Sequence, residues 1–240
     1  DVEVREGGVD PALGHFEDPA VGSISPLITM KSQRDRIIAR GVYYGTGGGR
    51  NVAGRPARGV KQSACDAPDA PTLSAGLYRR DAVLRVGGFC PAVGPSFADI
   101  DLGLMLQAAG YCCIHEKNSV VTTERQYQAP SLSFAHGRAA ERLFWRNTEP
   151  SDWMRTRLIH PGTWLMEGLA NLHRPRVVLQ LFGRACGWIE RNSHRQHRRR
   201  IQAWKTDPSG DRPHEPDSSS AFQPSSHSEP PSPFNGRAAA

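Results

Sequence analysis

A chain of 240 residues has room for one sizeable domain, or for a smaller domain and a tail. Hydrophobic residues make up 38%, and 24 glycines and 19 prolines dilute them, so polar segments must flank any core. No apolar run approaches the roughly 20 residues of a membrane span. The net charge of +6 lies largely between Arg174 and Lys205, which favours anionic partners such as lipid headgroups, nucleic acid or phosphorylated substrates.

The five cysteines, Cys65, Cys90, Cys112, Cys113 and Cys186, are odd in number and contain no Cys-x-x-Cys spacing. That argues against a disulfide framework or a zinc site and suits a reducing compartment. No basic-then-apolar signal segment opens the chain. It begins at Asp1 rather than Met, as a segment cut from a longer protein would.

In chain order, residues 1–8 alternate acidic positions and end in two glycines, which predicts a strand end passing into a turn. Asp1 and Glu3 stand at i and i+2. On a strand they point the same way and can together hold a hard divalent cation, although a solvated strand end has the same pattern. Val9, Leu13 and Phe16 mark one face of a short helix. Val21 to Ile28 reads as a strand, with Pro26 putting its end at an edge or bulge.

Residues 41–72 are rich in Gly, Pro and Arg and predict an exposed loop or hairpin. Their glycines lack both the Gly-Lys-Ser/Thr ending of a P-loop and the strand–GxGxxG–helix setting of a dinucleotide site. Arg79-Arg80-Asp81 opens a short helix with apolar contacts from Leu77, Val83, Leu84 and Val86. Gly87-Gly88 ends it. The segment from Ile100 to Leu106 is apolar nearly all round, so a deeply packed helix is expected. Asp99 stands at its start, where an aspartate often caps a helix and faces a cleft.

Tyr111–Ile114 and Ser119–Thr123 read as two short strands, with His115 a satisfied structural histidine. Ser131–Asn147 and part of 153–173 read as helices. From Val177, apolar residues at 177, 178, 181, 182, 185, 188 and 189 form a wide amphipathic stripe. The basic run Arg191–Arg200 follows. Together they could dock on an anionic membrane face, or pack on the domain with a solvated basic end. Lys205–Ala240 is too polar to fold and reads as a disordered tail.

Several motifs recur in a set order: Asp1-Val2-Glu3, Asp18-Pro19-Ala20-Val21-Gly22, Ala75-Gly76, Arg79-Arg80, Gly87-Gly88-Phe89, Asp99-Ile100-Asp101-Leu102, Ala109-Gly110-Tyr111 and Arg146-Asn147. This order resembles the acceptor-side half of family 2 glycosyltransferases, over roughly residues 1–147. The resemblance implies an α/β architecture, a partial GT-A (Rossmann-like) fold with added C-terminal helices and a disordered tail. Residues 1–147 would be the partial catalytic domain, 148–204 an accessory amphipathic and basic helical segment, and 205–240 the tail. The nucleotide-binding strands of such enzymes precede the metal motif, so this chain alone is expected to lack a donor pocket and to be inactive.

The same resemblance assigns roles. Asp99 would be the general base that takes the acceptor hydroxyl proton, and Asp101 would support it. Asp1 and Glu3 would hold Mn²⁺ or Mg²⁺ against the donor diphosphate. Gly87, Gly88, Phe89, Arg79 and Arg80 would shape the acceptor site. The implied partners are a nucleotide-sugar donor and a glycan or lipid-linked acceptor. The cysteine usage and the amphipathic, basic segment point to a cytoplasmic location, peripheral to the inner face of a membrane. Departures from the family pattern are Gly8 for Trp, Cys90 for Asp, Ala98 for Glu, Met105 for Arg, and Thr123 for a metal-binding His. They support a second reading, a non-catalytic relative that binds a glycan or an anionic surface. Nucleic-acid binding through Arg191–Arg200 ranks last, because no reading motif accompanies the charge.

Overall fold

The computed structural model describes residues 2–4, 7–33, 36–45, 49–53, 67–124, 132–148 and 158–206. A five-stranded mixed sheet forms its centre. Strand β1 (Val2–Val4) pairs antiparallel with β7 (Cys112–Thr123), and β7 runs parallel to β2 (Val21–Met30). β2 in turn pairs antiparallel with β3 (Ile37–Ala39) and β6 (Leu77–Tyr78). A separate two-stranded sheet joins β4 (Gly41–Tyr44) to β5 (Arg50–Ala53). The architecture is α/β.

β2 is buried along nearly its whole length, as its neighbours require. Small Ser23, Ser25 and Thr29 alternate there with Ile24 and Ile28, so helices and loops can approach both faces. Pro26 sits where the β2–β7 register slips: it faces Glu116, while Leu27 already faces Val120. The slip lies inside a central strand, and a bulge of this kind is where a strand accommodates a proline. The two short strands expected at 111–123 are one bulged strand, with Lys117–Ser119 as the extra residues.

Helix α1 (Asp10–Leu13) continues as a 3₁₀ turn, Gly14–Glu17. The expected Val9–Leu13–Phe16 face is only partly its inner side: Phe16 packs on the core, but Leu13 does not. Ala12 is buried against Val21 and Ile24, whereas Leu13 is 52% exposed. Helix α2 (Arg80–Val86) ends as the glycine pair predicts, with Gly87 left-handed at φ 86° and the Gly88 N–H donating to Val83 O at 3.0 Å. Within it Leu84 faces solvent rather than the core.

Helix α3 (Ala98–Ala108) is buried nearly all round, as its composition demands, with Gln107 alone of its residues exposed. Ile100 packs with Phe97, Val42, Ala140 and Leu143, while Leu102, Met105 and Leu106 pack with Ala82, Val86, Ile201 and Trp204. Each such side chain contributes about 1.5–3 kcal/mol by leaving water.

Helix α4 (Phe134–Asn147) starts at Ser133, whose hydroxyl accepts the His136 N–H at 3.2 Å. Helices α5 (His160–Ala170), α6 (Arg176–Ile189) and α7 (Arg195–Thr206) follow, the last two linked by a 3₁₀ turn, Glu190–His194. α6 lies along α4 through glycines. A Cβ on Gly183 would fall on the Phe134 carbonyl oxygen, and one on Gly187 would lie 2.7 Å from Glu141 Cβ. The basic run Arg191–Arg200 belongs to this turn and to α7, whose Ile201 and Trp204 reach the α3 core. The expected tail lies outside the described residues beyond Thr206. Among those described, no helix is long and apolar enough to cross a membrane.

Candidate active site

Two acidic residues occupy the first turn of α3, where the helix dipole favours negative charge. Asp99 is not the helix cap, because Phe97 holds that position without a side-chain bond. Nor does it face a cleft, being only 1% exposed. Arg50, on β5, grips it at both oxygens: Nε donates to Oδ1 at 2.9 Å and Nη2 to Oδ2 at 2.6 Å. The Leu73 N–H adds a bond to Oδ2 at 3.0 Å, and the Ile100 N–H one to Oδ1 at 2.8 Å. Four donors thus saturate this carboxylate.

Asp101 is fully buried and held by the last turn of α4. Arg146 donates from Nε and Nη2 to its two oxygens, each at 3.0 Å, and Asn147 Nδ2 lies 3.2 Å from Oδ1. The Asp-x-Asp and Arg-Asn motifs therefore meet in space. The arginine that the resemblance calls for at position 105 is a methionine. The guanidinium beside that helix comes instead from Arg146, whose Nη2 lies 3.9 Å from Met105 Sδ.

Asp1 lies outside the described residues. Glu3 stands opposite Thr122 on β7, and Val2 opposite Thr123, the position of the missing histidine. The Lys31 ammonium lies 2.8 Å from Glu3 and 3.5 Å from Glu124, in an open cavity that Val2 and Thr122 also line. The Glu3 hydrogen bond and charge, with Glu124 behind them, hold Lys31 more firmly protonated than a free lysine. An ammonium thus already lies between two carboxylates, and the oxygen donors here are of the type a hard divalent ion takes. Among the described residues, no three His, Cys, Asp or Glu side chains converge on one point.

The residues expected at the acceptor site divide. Arg80 is exposed, and Gly87 and Gly88 form the α2 stop. Phe89 is 47% exposed and meets Tyr78 edge to face at 6.1 Å. Burial, and then the Asp99 charge, push the Tyr78 phenol well above its usual range, and its oxygen has no hydrogen-bond partner among the described residues. The Arg79 guanidinium instead braces the fold, donating to Val21 O at 2.9 Å, Phe16 O at 2.7 Å and Asp18 O at 2.6 Å. His115 is satisfied by Ser25 O at 3.0 Å.

Sequence reasoning did not find Arg50, which lay in a Gly/Arg-rich segment with no periodicity to give it an address. It also passed over Glu141, a fully buried carboxylate in the middle of α4. Trp145 Nε1 donates to it at 2.7 Å and Trp164 Nε1 at 3.1 Å, and His160 Nε2 lies 2.9 Å from both its oxygens. Arg184 approaches at 3.4 Å, and the His160 ring stacks on Phe144 at 3.5 Å. This cluster braces α4, α5 and α6 together. A charged residue within an otherwise apolar helical face was its one sequence signal.

No protein-family model matches the chain, and no curated protein matches it.

Proposed function

We propose that the chain is the acceptor-side portion of a metal-dependent glycosyltransferase of the family 2 type, built on a partial GT-A fold. The observation that carries this reading is the pair of buried carboxylates opening α3. Removing two charges from water costs several kcal/mol each, which a purely structural helix start avoids with a serine or threonine cap. The two are also held differently. Asp101 is locked by a core helix, whereas the arginine on Asp99 comes from a hairpin outside the main sheet.

In the reaction, Asp99 takes the proton from an acceptor hydroxyl as that oxygen bonds to the anomeric carbon. The bond from that carbon to the donor phosphate breaks, the nucleoside diphosphate leaves, and configuration inverts. Arg50 must withdraw before Asp99 can accept the proton, while Asp101, Arg146 and Asn147 keep the turn in place. The half-exposed Phe89 ring, backed by Tyr78, offers a sugar an apolar platform. When bound, a divalent cation on Asp1 and Glu3 supplies charge neutralisation of the leaving diphosphate. The unpaired Cys90, Cys112, Cys113 and Cys186 suit work on the cytoplasmic side.

One observation favours a second reading. A carboxylate saturated by Arg50 and two main-chain donors also suits a non-catalytic relative that binds a glycan or an anionic surface. Incubating the protein from its source with a panel of nucleotide-sugars, Mn²⁺ and extracted glycan or lipid acceptors separates the two. The first reading expects a new glycosidic product of inverted configuration. No product from any donor, with the glycan still retained, would replace it by the second.

A further inference from the structure

Helix α6 is amphipathic, and it is mounted with its apolar side outward. Its buried positions are Val177, Gln180, Gly183, Arg184 and Gly187, which is mostly the small and polar side. Gln180 and Arg184 reach Glu167, and Arg184 also reaches Glu141. The opposite side exposes Val178 (67%), Phe182 (61%) and Ile189 (70%), with Leu179 and Trp188 beside them. A helix packing on a soluble core ordinarily buries that stripe. Here the glycine contact with α4 and the inward ion pairs hold it outside.

The adjacent helix repeats the arrangement. α5 turns Trp164 and Glu167 inward to the Glu141 and Arg184 cluster and leaves Leu165, Met166 and Leu169 more than half exposed. Gly168 meets Leu181, so the two helices pack as a hairpin across the short turn before Arg176.

Charge decides what covers this face. Residues 158–206 carry nine arginines and lysines against two glutamates. Both glutamates are turned to intramolecular partners, Glu167 to Arg184 and Glu190 to Arg138 and Arg142. The outward charge is therefore positive. Exposed Arg174 and Arg176 precede the α6 stripe, and Arg191 follows it, stacked over Trp188 at 4.0 Å. A second copy would bring the same positive rim against itself. Protruding Leu, Phe, Ile and Met side chains framed by arginines match instead the acyl boundary and anionic headgroups of a bilayer.

We infer that the α5–α6 hairpin is an interfacial membrane anchor, with its apolar face seated in the headgroup–acyl boundary of an anionic leaflet. This inference stands apart from the transferase reading, because it uses none of the residues around Asp99. It makes the chain a peripheral protein whose binding needs both apolar contact and negative lipid.

Flotation of the full chain with vesicles tests it, using phosphatidylcholine alone and phosphatidylcholine with about one-third phosphatidylglycerol. The expected result is binding to the mixed vesicles that weakens with added salt. F182E/I189E should lower the partition coefficient at least tenfold with an unchanged melting temperature, because both side chains already face solvent. R174Q/R176Q should lower it by about fivefold per arginine lost, but only on the anionic vesicles. Failure of the wild-type chain to float, or equal flotation of F182E/I189E, would overturn the inference. A wild-type dimer that F182E/I189E converts to monomer, without flotation, would assign the face to a second copy instead.

Discussion

Replacing Asp101 by leucine leaves the Arg146 guanidinium without its carboxylate in a site where Arg146 is only 7% exposed. The aspartate accepts two bonds from that guanidinium at 3.0 Å and one from Asn147 at 3.2 Å, so three donors lose their acceptor at once. Removing one partner of a buried ion pair costs about 3–5 kcal/mol, a large part of the 5–15 kcal/mol that holds a typical domain together. At about 2–4 °C per kcal/mol, D101L should melt roughly 6–20 °C below the parent. D101L/R146M removes both charges and fills the space with apolar side chains, so most of the loss should return. Urea unfolding followed by tryptophan fluorescence and far-UV CD gives the energies where the two transitions coincide. A D101L loss below about 1 kcal/mol would refute the reasoning, as would a double-variant loss equal to the sum of the singles.

Gly183→Ala puts a methyl on the Phe134 carbonyl oxygen and should destabilise by about 1–3 kcal/mol or more through overpacking, read as a lower melting temperature. An unchanged melt would mean that the α4–α6 contact is looser than described. Burial, and then the charge of Arg146, hold His194 and His197 at about 4, below their usual 6.5. The unfolded chain therefore binds more protons between those values, and stability should fall as pH drops from about 6.5 to 4, by on the order of 1–3 kcal/mol for each histidine. Burial works against ionisation of Glu190, but Arg142 and Arg138 outweigh it and hold the carboxyl at about 2, so a further loss should follow below pH 4.5. Urea midpoints across this range check both, and a flat or rising profile on acidification would contradict them. Glu141→Leu strips the acceptor from Trp145, Trp164 and Arg184 and should cost about 3–5 kcal/mol with a shift in tryptophan emission, whereas an unshifted spectrum would deny the cluster its bracing role.

Local chemistry was legible where one physical rule acts alone. Gly87-Gly88 stops α2 because a left-handed residue is needed there. The stretch after Gly41 does form a hairpin, but the 41–72 segment is not simply exposed, since Val42 and Ala70 are fully buried beside Ile100 and Leu143. Reading failed where partners lie far apart in the chain. The 111–123 region looked like two strands because the bulge opposite Pro26 interrupts its alternation. A helical segment was expected through residue 204, but the packing of α7 was hidden because its arginines masked the spacing of Ile201 and Trp204, whose value as core depends on α3. The α6 stripe was visible in the sequence, but its direction was not. Glycines 137, 183 and 187 select the opposite face for close packing, which no hydrophobic periodicity reveals. At the site, Asp99 and Asp101 do open α3, but Asp99 is buried instead of capping the helix toward a cleft, and Arg50, which grips it, carried no signal.

The sharpest measurement is the initial rate of sugar transfer by the protein from its source, compared between the parent and Asp99→Asn at matched melting temperature. The account predicts a loss of about 10²–10⁴-fold, the contribution of a positioned general base. Transfer by Asp99→Asn at the parental rate would contradict the central claim that this carboxylate takes the acceptor proton.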